Sequence, residues 1–423
     1  MANNMHSRQP EFVLPIEYKK AILFVPFWSM AGHVGNNRVD RFVRWLFEDG
    51  YEVVIIRAGA IEAVREEDWG REITVVDRLG LHPETAPGQA KVISSRRPNK
   101  VRRALAYWLF NPDPVVVWAK AAARHPEVIA AVLGADFILS SSPPESAHVG
   151  AWILSQRMNV PHIMDMRDGW LDEPLKPLLL SSALRRWQER RLESRIVEAA
   201  DSIQVTSDVW KELLDARYPR IAHKVHVLTN GYPKSMPAMK TGEQKRSNKE
   251  YVLIHAGRFT SSRNSQKPAL LLDPLLRCLP SQDCKGVIQL YGNLTQNEVS
   301  LIERYRSRFS EIGWRLEFPG AVPRSNMLAI MQKADGLLLL SASHAALPSK
   351  LFEYLATGRL IFYVTGHDSA ANRLLDAIPQ AINLMNADCY KLDWCNYSMK
   401  VPEEYCESFL HTRFKYILQT CFA

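Results

Sequence analysis

Short apolar runs of strand length alternate with helix-patterned stretches along most of this 423-residue chain. That alternation is the strongest constraint on its fold, because strands separated by helices build a parallel sheet covered on both faces. In the first half the expected strands are 21–27, 51–57, 73–77, 137–141, 162–165, 203–206 and 225–229. In the second they are 251–256, 286–291, 315–318, 336–340, 359–364 and 381–384. Each set suffices for one doubly wound domain. Between them lies a polar stretch without aromatics, residues 234–249, which has the composition of an interdomain linker. The chain also exceeds the size at which a single hydrophobic core stops growing. The expected organisation is therefore a first domain over 1–233, a linker over 234–250, a second domain over 251–402 and a terminal helix over 403–423. Apolar spacing at Tyr405, Phe409, Phe414, Ile417 and Leu418 marks that helix.

Two Rossmann-like domains of this kind face each other across a cleft at the carboxyl ends of their strands, where such sheets bind ligands. A composition of 47% hydrophobic and 23% charged residues excludes disorder over most of the chain. The six cysteines form no Cys-x-x-Cys pair and read as free thiols in a reducing compartment. Residues 1–20 lack a signal-peptide apolar core, and no apolar run approaches the roughly 20 residues of a spanning helix. A cytoplasmic location is expected. The net charge of +8 favours anionic partners without choosing among them.

The strand 336–340 runs directly into Leu347-Pro348-Ser349-Lys350-Leu351-Phe352-Glu353-Tyr354. A helix opening at Pro348 points backbone N–H groups, and the Lys350 ammonium, at a phosphate-sized site. Glu353 is then placed to accept hydrogen bonds from a ribose diol. Taken structurally, the same segment is a buried amphipathic helix after a buried strand. Strand 251–256 is followed by Gly257, Arg258 and Arg263, and strand 286–291 by Gly292. In the first half, Gly32, His33, Gly35 and Asn36 lie between the first strand and a helix over 39–48, where glycine admits close backbone approach of a phosphate or simply makes a turn. Two further loops, Ser140 to His148 and Asp165 to Trp170, open at the same sheet edge.

Taken together, these runs resemble the retaining family 4 glycosyltransferases of GT-B fold, of the type that builds bacterial surface polysaccharides. The resemblance rests on Pro348-x-Lys350-x-x-Glu353-Tyr354-x-Ala356-x-Gly358, on Ser141-x-Pro143-Pro144-x-x-x-His148, on Asp165-x-Arg167-Asp168-x-Trp170 and on Gly257-Arg258. It implies a nucleotide-sugar donor held by Arg258, Arg263, Gly292, Leu347, Ser349, Lys350 and Glu353. It further implies a saccharide or lipid-linked acceptor near Gly32, His33, Gly35 and Asn36, with His148 bonding a sugar hydroxyl and Asp168 binding the acceptor or acting as base. Arg263 stands where the family has lysine, which keeps the charge and changes the geometry. Ala345 stands where many members carry a glutamate near the transferred sugar. Backbone N–H groups of Ala346 and Leu347 are left to face that sugar.

No cofactor and no metal are expected, since no Asp-x-Asp pair occurs in the chain to hold one as in GT-A enzymes. There is no phosphate-binding Gly-x-x-x-x-Gly-Lys loop, no Gly-x-Ser-x-Gly elbow and no His-Glu-x-x-His site. A basic run from Lys91 to Arg103 leads into Tyr107-Trp108-Leu109-Phe110, which suits either an acidic membrane surface or a core helix with a solvated start. A second cluster, Arg185, Arg186, Arg190, Arg191 and Arg195, is diluted in sequence by Glu189 and Glu193. A peripheral position on the inner membrane face follows from these patches. No nucleic-acid module accompanies them. Two alternatives stay open: a non-catalytic GT-B binding or scaffold subunit, favoured by Ala345, and a sugar-nucleotide 2-epimerase.

Overall fold

The computed structural model describes residues 19–28, 37–79, 109–172, 182–234, 250–257, 259, 268–279, 285–386 and 401–422. The first sheet contains β1 (Lys19–Phe24), β2 (Tyr51–Gly59), β3 (Ala63–Glu67), β4 (Gly70–Val76), β5 (Phe137–Ser142), β6 (His162–Met166), β7 (Ser202–Val205) and β8 (Val225–Val227). Their order is β3-β4-β2-β1-β5-β6-β7-β8. All pairs are parallel except β3 with β4. The second sheet contains β9 (Tyr251–Ala256), β10 (Gly286–Tyr291), β11 (Trp314–Gly320), β12 (Gly336–Ser341), β13 (Leu360–Thr365) and β14 (Ala381–Asn383), ordered β11-β10-β9-β12-β13-β14 and parallel throughout. The central strands are apolar on both faces because helices cover both faces.

β3 has no counterpart in the sequence expectation. Its residues Ala63-Val64-Arg65-Glu66-Glu67 are mostly exposed, so neither an apolar run nor an alternation announces it. An edge strand needs only one partner, and β4 supplies it.

The helix Glu407–Phe422 lies against the first sheet's helix Asn37–Glu48. Leu410, Phe414, Ile417 and Leu418 share a core with Phe42, Trp45 and β1, and the Phe42 and Phe414 rings are 5.0 Å apart. This inward stripe differs from the expected one. Phe409 points outward, and Tyr405 precedes the helix in a short 3-10 turn, where its ring meets Phe352 of the second sheet's helix edge-on at 5.6 Å. The two sheets are also tied by Ser207 Oγ, which donates to the Ala345 carbonyl at 2.7 Å. The linker residues 235–249 lie outside the described residues.

Candidate functional site

Each sheet has a switch point where the chain reverses its direction of winding, β1/β5 in the first and β9/β12 in the second. Clefts form outside the carboxyl ends of strands at such points.

In the second sheet, three neighbouring strands end in glycines with left-handed backbone: Gly257 after β9 (φ 99°), Gly292 after β10 (φ 129°) and Gly320 in β11 (φ 83°). The Gly257 N–H donates to Tyr291 O at 2.9 Å and the Gly292 N–H to Gly320 O at 3.0 Å. A Cβ on Gly292 would stand 3.0 Å from the Gly257 backbone, so the edge is a side-chain-free shelf. Gly292 itself lies on this shelf.

Helix Ser349–Thr357 overhangs the shelf. Its buried stripe, Leu351, Phe352, Tyr354 and Leu355, packs on the sheet, and Gly358 ends it in the left-handed conformation (φ 66°). The Tyr354 hydroxyl accepts the Ala256 N–H at 2.9 Å and donates to Leu338 O at 3.3 Å, locking the helix to β9 and β12. The opposite side presents Ser349, Lys350 and Glu353. Lys350 Nζ donates to Ala256 O at 3.3 Å, one residue before the shelf. Burial pushes its pKa down to about 8, with no carboxylate among the described residues offsetting the desolvation. Glu353 Oε1 is paired with Arg324 Nη2 at the start of another helix. Arg324 was not singled out by the sequence.

Leu347 is buried, and the loop before the helix is fastened: the Ala370 N–H bonds His344 O at 2.7 Å, and the Ala346 N–H is taken by Ser343 Oγ at 3.0 Å. The expectation that the Ala346 N–H faces a transferring sugar is therefore corrected. Arg258 and Arg263 lie outside the described residues, between Gly257 and a buried Phe259 whose N–H is held by Glu298 at 3.1 Å, and beyond it.

In the first sheet, a cavity of about 160 Å³ opens at the ends of β1, β5 and β6, lined by Phe27, Trp28, Ser141, Pro143, Pro144 and Arg167 among others. Gly32, His33, Gly35 and Asn36 follow β1 but lie outside the described residues. Beneath the cavity, Asp165 is fully buried and accepts from Arg38 at 2.7 and 2.9 Å and from Ser141 Oγ at 2.7 Å. Arg38 further donates to Leu228 O and Thr229 O. Arg167, two residues on, is turned to Ser142 O (2.7 Å) and Pro143 O (3.1 Å).

His148 is also corrected. It is fully buried, its Nδ1 lies 2.7 Å from Ser140 Oγ, which also reaches His162 Nε2 at 2.7 Å, and its ring stacks on Trp170. Burial and the neighbouring His148 push the His162 pKa down to about 3, keeping it neutral. His148 is thus enclosed by protein, bonded to Ser140 of β5 rather than facing the cavity. Asp168, in the loop after β6, is half-buried and lines a cavity of about 10 Å³ with Trp170, Asp172, Glu193 and Arg217. Among the described residues no cluster of three or more His, Cys, Asp or Glu is arranged to hold a metal, and no helix is long and apolar enough to cross a membrane.

Comparison with known proteins follows the same division. Residues 35–231 match the model of the Glycosyl transferase 4-like domain. No curated protein sequence matches the chain. Among solved structures, the chain is similar to a glycosyltransferase from Rickettsia africae (11% identity, 96% of this chain and 99% of that one, TM-score 0.58). It is also similar to the lipopolysaccharide outer core galactosyltransferase WaaB (15%, 95% and 99%, TM-score 0.53) and to HepE from Anabaena in complex with UDP (10%, 95% and 100%, TM-score 0.53). The fold is GT-B.

Proposed function

We propose that this chain is a glycosyltransferase that moves a sugar from a nucleotide-sugar donor on the second domain to a saccharide or lipid-linked saccharide on the first. The observation that carries the reading is the helix Ser349–Thr357 over the glycine shelf. Lys350, whose desolvation no carboxylate among the described residues offsets, and Glu353, already held by Arg324, project from one face above three side-chain-free strand ends. A desolvated ammonium without a counter-charge favours an anion such as a diphosphate. The Glycosyl transferase 4-like match over the first domain and the UDP complex of a structural neighbour support a nucleotide-sugar donor.

The donor diphosphate lies along Lys350, Arg258 and Arg263, whose charges stabilise the leaving group without a metal. Glu353, aimed by Arg324, takes the ribose, and Gly292 leaves room for the base. The acceptor enters the first-domain cavity beside Trp28 and Arg167, near the Gly32 to Asn36 loop and Asp168, and the sugar keeps its anomeric configuration. Surface-polysaccharide assembly at the inner membrane face is the setting that fits a lipid-linked acceptor.

The test is release of free nucleotide from a panel of UDP-, GDP- and TDP-sugars by the full chain. Release from one donor that persists in EDTA, and rises with an acceptor, is expected. Release restored only by Mg²⁺ or Mn²⁺ overturns the metal-free reading. Tight nucleotide binding with no turnover favours a non-catalytic subunit, the reading to which Ala345 points, since its buried backbone is tied to Ser207 and brings no carboxylate to the sugar.

A further inference from the structure

The helix Ala183–Ala199 has its polarity inverted. Its inward face carries charge: Arg185 is paired with Glu189 at 3.0 Å and Glu193 with Arg217 at 3.2 Å, all buried or nearly so. The two acids that dilute the arginine cluster in sequence are therefore turned inside. What remains outside is Leu184, Trp187, Arg191 and Arg195, which follow one another at helical spacing on a single stripe, flanked by Arg186 and Arg190. Leu184 is 65% exposed and Trp187 56% exposed. The Arg191 guanidinium lies over the Trp187 ring at 5.5 Å. Among the described residues of this helix, Glu198 is the acid on the outward side, and it sits at the far end, where Lys224 Nζ bonds the Glu198 carbonyl. At the other end Arg185 bonds the carbonyls of Phe110 and Pro112, each at 2.7 Å. Leu109, next to Phe110, is exposed, and the basic run 91–103 before it lies outside the described residues.

We propose that this outward face docks the protein on an anionic lipid surface, with Leu184 and Trp187 entering the headgroup boundary and the four arginines meeting acidic headgroups. A cationic stripe with an indole and a leucine at its centre is the composition of an interfacial helix. The amphipathic tip of tryptophan and the alkyl stems of arginine are compatible with that depth. The surface locates the membrane contact that a lipid-linked acceptor calls for and rests on that reading for its purpose. Its test measures lipid binding alone, so failure there leaves donor turnover standing, and failure of donor turnover leaves the docking result standing.

The full chain is floated with vesicles of neutral phosphatidylcholine or of phosphatidylcholine mixed with phosphatidylglycerol. Binding to the anionic vesicles alone, falling steeply as salt rises, is expected. Arg191→Gln with Arg195→Gln lowers the partition coefficient by about 25-fold, roughly fivefold for each charge. Trp187→Ala lowers it with the net charge unchanged. All three side chains are exposed, and an unaltered thermal melt confirms the fold of each variant. Equal binding to both vesicles, no loss in either variant, or retention on single-stranded DNA with none on vesicles overturns the proposal.

Discussion

The two domains share a layered α/β plan but differ in how deep their ion pairs reach. The first has internal pairs, Arg38 with Asp165, Arg185 with Glu189 and Arg217 with Glu193, besides outer ones such as Arg71 with Glu66. In the second, each described pair leaves at least one partner well exposed, as with Arg315 and Glu250 at 61% and 42% exposure. Lys350 lies there with its ammonium on the Ala256 carbonyl, and no carboxylate among the described residues offsets its desolvation. A buried pair that satisfies itself fixes geometry, whereas a desolvated charge without a counter-charge is poised for an anionic ligand.

The largest effect should come from breaking a first-domain pair. Asp165→Ala strands the Arg38 guanidinium inside the protein and should cost about 3–5 kcal/mol. Urea titration reads this as a lower midpoint at constant slope. Replacing both partners by apolar residues, Arg38→Met with Asp165→Leu, should recover most of the loss. If the single change costs under about 1 kcal/mol, the contrast between domains fails.

The second effect sharpens the contrast at the donor site. Lys350→Ala should weaken binding of a nucleoside diphosphate by about 1.5–3 kcal/mol, the range for a hydrogen bond to a charged group, as read by calorimetry. Only the protonated lysine attracts phosphate. Wild-type affinity should therefore be flat below pH 8 and fall by up to tenfold per unit above it, and the variant should lack that limb. Stability should move the other way. Because the folded pKa of about 8 lies below the ordinary 10.5, the unfolded chain binds more protons between these values, and stability rises with pH across that window. An affinity independent of pH up to 10 would remove Lys350 from the diphosphate.

The smallest effect belongs to the outer pairs. Arg315→Ala should change stability by no more than about 1 kcal/mol, because solvent already screens its partner Glu250. A loss as large as that of Asp165→Ala would mean that burial does not divide the two domains.

The strands buried on both faces were legible because apolar side chains must occupy every position along them, and the helix after β12 because Pro348 and Gly358 punctuate it. β3 was not, since an edge strand needs no apolar signature. The Lys350 and Glu353 placement was legible from local spacing alone. The partners Arg38 for Asp165 and Arg324 for Glu353 were not, because the first pair is 127 residues apart and both arginines sit near helix starts, where arginine ordinarily faces water. His148 looked like a cleft residue because its loop leaves the correct sheet edge, yet one turn of helix was enough to swing it inward onto Ser140. The arginine helix did carry a usable signal. Arg185, Glu189, Glu193 and Ile196 recur at helical spacing on one face, which would have separated the acids from the outward arginines.

The packing of helix Glu407–Phe422 on Phe42 and Trp45 has a consequence in time as well as space. During synthesis the ribosome adds on the order of 5–20 residues per second, so the helix emerges roughly 10–40 seconds after the strands of the first sheet are complete. Through that interval the groove along Phe42 and Trp45 faces the cell uncovered. The nascent first domain therefore waits with an aromatic seam open, a surface for a chaperone to shield until the late helix arrives to close it.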